Sequence, residues 1–287
     1  LETEDQVELN MAEEGRLKIV YGSSEVYLSV LGAEEFPVIS KNINEKSFTL
    51  LQKDFKDAVM KTSFCCSTDE SRPILKGCLT ELKDNVLTCV ALDGFRLAVA
   101  KKQVKESTGD FKVIVPARSL TEITRLLEKD EEEITVRSEG NALKVEVDGT
   151  IFITRLLEGE FINYLQIVPK EFITTVSVGR AALLNSLDRA TVVARESKNL
   201  VKLDFKEGFV NISANSESGN VNETLIANME GKDIVIAFNS KYLCDALRAA
   251  GDDFVNVYLN NPISPCVIKP CSGEDYLYLI LPIRLNV

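Results

Sequence analysis

The sequence predicts an α+β protein built from repeated domains, and three observations carry this prediction. Apolar and polar residues alternate over many short segments, which is the pattern of half-buried strands. Four longer segments place apolar residues at helical spacing. The pattern that runs from Leu17 to Phe36 also recurs about 126 residues later, from Leu143 to Phe161.

Further echoes extend this repeat to the scale of whole domains. Phe48-Thr49-Leu50 is echoed by Val176-Ser177-Val178, and the segment 112–116 by the segment 233–237. The period is far longer than a solenoid unit, so each copy is predicted to be a domain. Two copies are complete and one lacks its front half. We interpret the chain as a truncated three-domain protein: a remnant of the first domain at 1–44, a second domain at 45–170 and a third at 171–287.

The strands are predicted from pairs of alternating segments on either side of a short turn. Leu143–Val147 and Ile151–Leu156 flank Asp148-Gly149, one of the strongest hairpin signals. Two further hairpins are predicted in the same way, one from strands 86–92 and 95–101 around Asp93-Gly94, the other from 201–205 and 210–214 around Glu207-Gly208.

Two helices are predicted in each complete copy. Each has one apolar face, made by Leu51, Phe55 and Val59 in 51–62, Leu120, Ile123 and Leu127 in 117–128, Leu183, Leu187 and Thr191 in 179–194, and Leu243, Leu247 and Ala250 in 239–250. Pro116 suits the start of the second helix, and Asn239-Ser240 suits the N-cap of the fourth.

Composition excludes several classes of catalytic site. Because the chain has no histidine, it has neither Ser-His-Asp nor Cys-His chemistry and no His-ligated metal site. No glycine-rich phosphate-binding motif occurs. The seven cysteines include no C-x-x-C pair and lie mostly in apolar patterns, as in a reduced, cytoplasmic protein. We therefore expect no catalytic residue, no metal and no cofactor.

The net charge of −11 is unfavourable for a nucleic-acid-binding protein unless positive charge is concentrated on one surface. Basic residues outnumber acidic ones in the four predicted helices. Helix propensity alone would also favour lysine and arginine there, so this asymmetry gains meaning only together with the repeat. The basic helix residues are Lys53, Lys56, Lys61, Arg118, Arg125, Arg180, Arg189, Lys241 and Arg248.

Two motifs lead from architecture to function. The first is the segment ALDGFRLAV at 91–99, and the second is the C-terminal segment YLILPIRL at 278–285. Either alone would be read as an ordinary core hairpin or strand. Together, at this separation and within a repeat of this period, they resemble the β subunit of bacterial DNA polymerase III, the sliding clamp. The likeness covers essentially the whole chain.

The resemblance implies a ring-shaped homodimer in which each clamp-type domain has antiparallel β-sheets outside and two helices lining a central channel. It implies a processivity factor and not an enzyme: the ring encircles duplex DNA and tethers the replicative polymerase. Basic residues on the lining would make only weak, sequence-independent phosphate contacts, which permit sliding. The clamp loader and other partners would bind through linear motifs.

In clamps, these motifs enter a pocket between the second and third domains. We expect aliphatic walls that accept leucine and phenylalanine anchors, with Arg96 and Arg284 as donors at the rim and Gly94 in a turn with positive φ. The positions that match the pocket are Leu75, Leu92, Gly94, Phe95, Arg96, Leu97, Ile162, Ile167, Pro265, Leu279, Leu281, Pro282, Ile283 and Arg284.

The sequence departs from the family pattern at several of these positions. Phe95 stands where many members have a polar ring, Ile162 replaces a common proline, and Asn286-Val287 extend beyond the usual terminal leucine. These departures are expected to tune peptide preference without removing the apolar character of the pocket.

The resemblance also implies a DNA-facing surface and a subunit contact. Arg72 matches a lining position, whereas Gln166 stands where some clamps carry a basic residue. The subunit contact would join Val26 and Leu28 of one chain to Val192 and Val193 of the other, unless these four residues are simply core. With an incomplete first domain, we expect this chain to dimerise weakly or not at all.

Two other functions remain open from the sequence. One is a β-rich enzyme with a catalytic carboxylate pair, such as a glycoside hydrolase. No such pair can be identified, and the absence of tryptophan disfavours a sugar-binding cleft. The other is an interaction scaffold that has lost DNA binding.

Overall fold

The computed structural model describes residues 6–13, 15–35 and 46–285. The predicted boundary between residues 44 and 45 and the terminal Asn286-Val287 lie outside these ranges. By its contacts, the chain divides into a small unit, 1–43, and a large unit, 44–287.

The small unit contains an antiparallel three-stranded sheet in the order β1-β2-β3. Val26 and Leu28 lie on its edge strand β3, where both side chains are about half exposed (48% and 47%). Its strands are β1 (Val7–Glu13), β2 (Arg16–Tyr21) and β3 (Ser24–Ser29).

The large unit contains two successive series of elements in the same order, apart from the two-residue β8, which only the first series has among the described residues. The first series consists of β4 (Lys46–Leu51), α1 (Gln52–Met60), β5 (Gly77–Lys83), β6 (Val86–Leu92), β7 (Arg96–Gln103), the two-residue β8 (Glu106–Ser107), β9 (Phe111–Pro116), α2 (Ala117–Leu126), β10 (Glu133–Glu139), β11 (Ala142–Val147) and β12 (Thr150–Arg155). The second consists of β13 (Thr174–Gly179), α3 (Arg180–Ala194), β14 (Leu200–Lys206), β15 (Phe209–Ser216), β16 (Gly219–Glu230), β17 (Ile234–Asn239), α4 (Ser240–Ala249), β18 (Phe254–Leu259), β19 (Cys266–Pro270) and β20 (Tyr276–Ile280).

Strand pairing repeats together with the order of elements. Six pairings of the first series each have a counterpart in the second: β5–β9 corresponds to β14–β17, β5–β6 to β14–β15, β6–β7 to β15–β16, β4–β10 to β13–β18, β10–β11 to β18–β19 and β11–β12 to β19–β20. The predicted antiparallel α+β fold is thereby confirmed. The division into domains at 170/171 stays a prediction.

The last strand of the second series returns to the first. Residues 276–280 of β20 pair antiparallel with residues 96–100 of β7. This pairing joins strands of both series into one twelve-stranded sheet, in the order β17-β14-β15-β16-β13-β18-β19-β20-β7-β6-β5-β9. A second sheet of five strands has the order β12-β11-β10-β4-β8.

The helices form as predicted and cover one large core. Almost all of the residues on their predicted apolar faces are buried; Leu51 and Thr191 are half-buried. Side chains from both series, from Phe55 on α1 to Leu247 on α4, join the same hydrophobic cluster. The side chain of Asn239 accepts a hydrogen bond from the Lys241 backbone N–H (3.0 Å), as expected of an N-cap. None of the helices described is long and apolar enough to cross a membrane.

Candidate functional site

Four of the residues predicted to line a pocket form part of a second, smaller hydrophobic cluster. Leu75, Leu92, Leu97 and Leu279 are each at most 5% exposed and pack together with residues of β5, β6, β7, β9 and β19. In this cluster Leu97 of β7 is paired with Leu279 of β20 across the junction of the two series. We call these four residues the leucine floor of the candidate site, and they expose almost no surface to a ligand.

Exposed apolar side chains border this floor. Ile162 and Ile167 are 45% and 39% exposed, and Tyr164 and Val168 between and beside them pack on the buried cluster. Leu281, which directly follows β20, is 37% exposed. The half-buried Pro265 directly precedes β19, and Pro282 and Ile283 are also half-buried. We use the term apolar groove for the surface that Ile162, Ile167 and Leu281 are predicted to share over the leucine floor.

The segment between β6 and β7 is a tight turn. The Asp93 carboxylate accepts hydrogen bonds from the backbone N–H groups of Phe95 (2.9 Å) and Arg96 (3.0 Å), and it also binds the Arg96 Nε–H (2.9 Å). Gly94 has φ = +96°, a conformation that residues with a Cβ rarely adopt. The D-G-x-R motif thus encodes the shape of this turn.

The C-terminal segment 281–285 is attached to both series. The Leu281 N–H donates to the Phe95 carbonyl (2.9 Å), and the Ile283 N–H donates to the Ala237 carbonyl on β17 (2.7 Å). Pro282 lies between these two donors, at a position where no backbone N–H is needed. The carbonyl of Phe95 therefore holds the backbone at Leu281, whose side chain borders the groove.

The structure corrects the expected position of Arg96. It is not a free donor at the rim, because the side chain is only 13% exposed and three of its nitrogens are already bonded. The cause is local: carboxylates of Asp93 and Asp245 lie on either side of it. Arg284, the other predicted rim donor, is exposed.

A cleft of about 810 Å³ lies beside the turn, and the sequence did not predict two of its features. Phe95, 59% exposed, stacks on Tyr242 of α4 with 6.3 Å between ring centroids. Arg72, predicted to face DNA, lines this cleft as well, with its Nη1 3.1 Å from where a Cβ on Gly94 would lie. Tyr242 was missed because it lies outside the apolar face predicted for this helix, and a single tyrosine gave no sign of a surface role.

The basic helix residues fall into three groups. Three of them are engaged within the fold, and their role in lining a channel stays a prediction. Lys61 binds Asp57 (2.8 Å) and lies over the Tyr276 ring, and Lys56 donates to the Leu127 carbonyl. Arg180 donates to the carbonyls of Asp252 (2.6 Å) and Leu247 (3.3 Å), near the end of α4. Such C-terminal carbonyls attract cations.

The second group consists of more exposed residues that form ion pairs. These pairs are Lys53–Glu131 (2.7 Å), Arg125–Glu122 (2.9 Å), Arg189–Glu223 (2.5 Å) and Arg248–Asp188 (2.5 Å). Exposed pairs contribute little to stability and can exchange partners, so these cations remain available to phosphates. The third group, Arg118 and Lys241, is exposed and has no ion pair among the described residues.

The Asp57 carboxylate on α1 pairs with two lysines, and one of them, Lys102, lies on β7. It binds Lys102 (2.7 Å) in addition to Lys61. Burial of the Asp57 carboxyl favours its protonated form, but the hydrogen bonds from Lys102 and Lys61 outweigh burial and lower its pKa.

The residues of the predicted subunit contact are mostly at the surface. Val192, near the end of α3, is 65% exposed, as Val26 and Leu28 are about half exposed. Only Val193 packs against the core. The alternative that all four are core residues is therefore wrong, while their role in a subunit contact stays a prediction.

The residues described contain no group of three or more His, Cys, Asp or Glu side chains that could hold a metal ion.

Comparison with known proteins identifies the family. Residues 49–163 match the family described as the central domain of the DNA polymerase III beta subunit, and residues 165–284 match its C-terminal domain. The chain is 34% identical over 281 residues to the beta sliding clamp of Staphylococcus aureus, covering 97% of this chain and 74% of that protein. The beta sliding clamp of Staphylococcus epidermidis is 33% identical over 282 residues, with 97% and 75% covered.

Solved structures agree with this match. The DNA polymerase sliding clamp of Bacillus subtilis superposes with a TM-score of 0.91 at 29% identity, covering 98% of this chain and 75% of that one. The DNA polymerase III beta subunit of Thermotoga maritima superposes with a TM-score of 0.86 at 32% identity, covering 98% and 76%. The chain therefore belongs to the family of DNA polymerase III β subunits, the sliding clamps of DNA replication.

Proposed function

We propose that this protein, when full length, encircles duplex DNA as a homodimeric ring and tethers the replicative polymerase and the clamp loader through the apolar groove. The observation that carries the groove assignment is the exposure of Ile162, Ile167 and Leu281 beside a buried leucine floor, where the two series of elements meet. Exposed apolar side chains contribute no stability to the chain alone, whereas leucine and phenylalanine anchors of a peptide would bury them.

The proposed role requires no chemistry on DNA, so the protein acts as a tether and not as an enzyme, in the cytoplasm where the chromosome is replicated. Processivity would come from topological linkage. Weak phosphate contacts suit this role, because tight binding would oppose sliding. Arg118 and Lys241, which have no ion pair among the described residues, are the strongest candidates for such contacts, followed by the paired residues Lys53, Arg125, Arg189 and Arg248.

The subunit contact belongs to the same proposal. Val26 and Leu28 lie on an edge strand and Val192 at a helix end, and each exposes about half or more of its side chain. Edge strands with exposed apolar residues readily pair with another chain. Sedimentation velocity at micromolar concentration tests the expected weak dimerisation, and a stable dimer would contradict it.

Peptide binding tests the groove directly. Fluorescence anisotropy of a labelled Gln-Leu-x-Leu-Phe peptide should show saturable binding to the chain. Leu281→Asp should abolish it, because a carboxylate would replace an apolar wall. Ile226→Asp is the matched control: Ile226 is 92% exposed on β16, and this variant should bind the peptide normally. Absence of binding to the folded wild-type chain would refute the groove assignment.

A further inference from the structure

Arg96 has contacts to three separate parts of the chain. Its Nε binds Asp93 in its own turn (2.9 Å), its Nη2 binds the Phe64 carbonyl (3.0 Å), and its Nη1 binds Asp245 on α4 (2.6 Å). The guanidinium also lies against the Phe64 ring (5.4 Å) and the Tyr242 ring (4.6 Å). Arginine suits this position because its planar group offers donors in several fixed directions at once.

The bond to Asp245 crosses from one series of elements to the other. Arg96 begins β7, and Asp245 lies 149 residues later on α4. The Arg96 side chain is 13% exposed and the Asp245 side chain 36%, so this bond is more shielded from water and salt than the pair Arg248–Asp188, in which the two side chains are 53% and 45% exposed. Charge-assisted hydrogen bonds of this kind fix geometry as well as adding stability.

The same turn also positions the C-terminal segment. The carbonyl of Phe95, next to Arg96, accepts the N–H of Leu281. Leu281 is the member of the apolar groove that belongs to the second series. A shift of the turn relative to α4 would therefore move the backbone at Leu281 relative to Ile162 and Ile167.

We infer that Arg96 is a positioning residue of the groove, which ties the 93–96 turn to α4 through Asp245 and thereby sets the placement of Leu281. All three of its guanidinium nitrogens are bonded to protein groups, although the side chain also lines the cleft beside the turn. Asp245 acts in the same tie without lining the groove. The effect on peptide binding rests on the groove proposed above, whereas the tie itself can be tested without peptide.

The test compares variants at both ends of the tie. Peptide anisotropy is measured for Arg96→Ala, Arg96→Lys, Asp245→Ala and the double variant Arg96→Ala/Asp245→Ala. Glu122→Ala is the matched control, because Glu122 is also a helix carboxylate, paired with Arg125 on α2, and neither residue is paired with Arg96 or Asp245. Each single variant should raise the Kd about tenfold, the factor for one lost interaction of about 1.4 kcal/mol. The double variant should bind no more weakly than either single variant at this tie.

Arg96→Lys distinguishes a tie from simple charge attraction. Lysine keeps the positive charge but cannot reproduce three directed bonds, so it should bind the peptide as weakly as alanine. A Kd near wild type for Arg96→Lys would overturn the inference. Loss of binding in Arg96→Ala with normal binding in Asp245→Ala would also overturn it, since that pattern indicates direct contact between Arg96 and peptide.

Hydrogen exchange tests the tie independently of any ligand. In Asp245→Ala, backbone amides of the 93–96 turn and of Leu281 should exchange about tenfold faster than in the wild type, while Glu122→Ala leaves them unchanged. If the wild-type chain binds no peptide, the groove assignment fails and this measurement alone decides on the tie. Unchanged exchange in Asp245→Ala would refute it.

Discussion

The two leucines on either side of the end of β20 should respond very differently to truncation. Leu279 is 2% exposed within the buried floor, whereas Leu281 is 37% exposed and borders the groove. Replacing a buried leucine by alanine removes apolar contacts and leaves a cavity, at a cost of about 2–5 kcal/mol. We expect Leu279→Ala to lower the free energy of unfolding by about 3 kcal/mol.

Leu281→Ala should cost about 1 kcal/mol or less, because solvent can fill the space that the side chain leaves. Its backbone bond to the Phe95 carbonyl is kept in the variant. Its effect should instead be on function, with the peptide Kd raised about tenfold. Leu279→Ala should change that Kd by no more than about twofold while the protein is folded.

Urea unfolding followed by circular dichroism is the suitable assay, because the chain has no tryptophan to report by fluorescence. The peptide Kd is measured in parallel, without urea. Equal destabilisation by the two substitutions would refute the division of the site into floor and groove, as would a normal peptide Kd in Leu281→Ala.

Three further predictions concern charge, pH and thiols. The double variant Arg118→Glu/Lys241→Glu should bind duplex DNA more than tenfold more weakly at low salt, and its binding constant should depend less on salt concentration. Anisotropy of labelled DNA measures both. An unchanged dependence of the binding constant on salt would exclude both residues from the DNA surface. Asp57→Asn should lower the free energy of unfolding by about 1 kcal/mol at pH 7. A carboxyl whose pKa is lowered in the folded chain stabilises the fold only while it is ionised, so the difference between variant and wild type should vanish as the pH falls through the lowered pKa of Asp57. Urea midpoints at pH 7, 5 and 3 check this, and a difference that stays constant would contradict it. Cys271, the exposed thiol, should react with a thiol reagent in the native protein far faster than the six other cysteines. Burial protects the others and raises the pKa of thiols such as Cys266 (to about 12). Rapid labelling of more than about two thiols in the folded protein would contradict the burial of the other cysteines.

Local patterns predicted the elements of this fold well. The apolar faces of the helices and the turns at Asp93-Gly94 and Asp148-Gly149 depend on neighbouring residues, and these signals were sufficient. The pairing of β20 with β7 was not predicted, because nothing in either strand alone specifies a partner about 180 residues away. It emerges only when the two series have folded.

The same distinction explains the site. The resemblance indicated which residues surround the groove, but not which of them are floor and which are exposed. Arg96 shows the difficulty most clearly: an arginine after a D-G turn was expected at the rim, and its burial depends on Asp245, a residue of α4 that carried no signal of its own. Long-range electrostatic pairing of this kind is invisible to periodicity.

The continuous sheet bears on how a tether would carry load. A polymerase held at the groove and moving along DNA would pull on the chain next to the β20–β7 pairing. If that pull runs along the strands, the hydrogen bonds between residues 276–280 and 96–100 are strained together and not one after another. Strands loaded in this way resist separation better than strands peeled apart from one end. The attachment point would then be the mechanically strongest part of the junction, and release of a partner would precede opening of the fold.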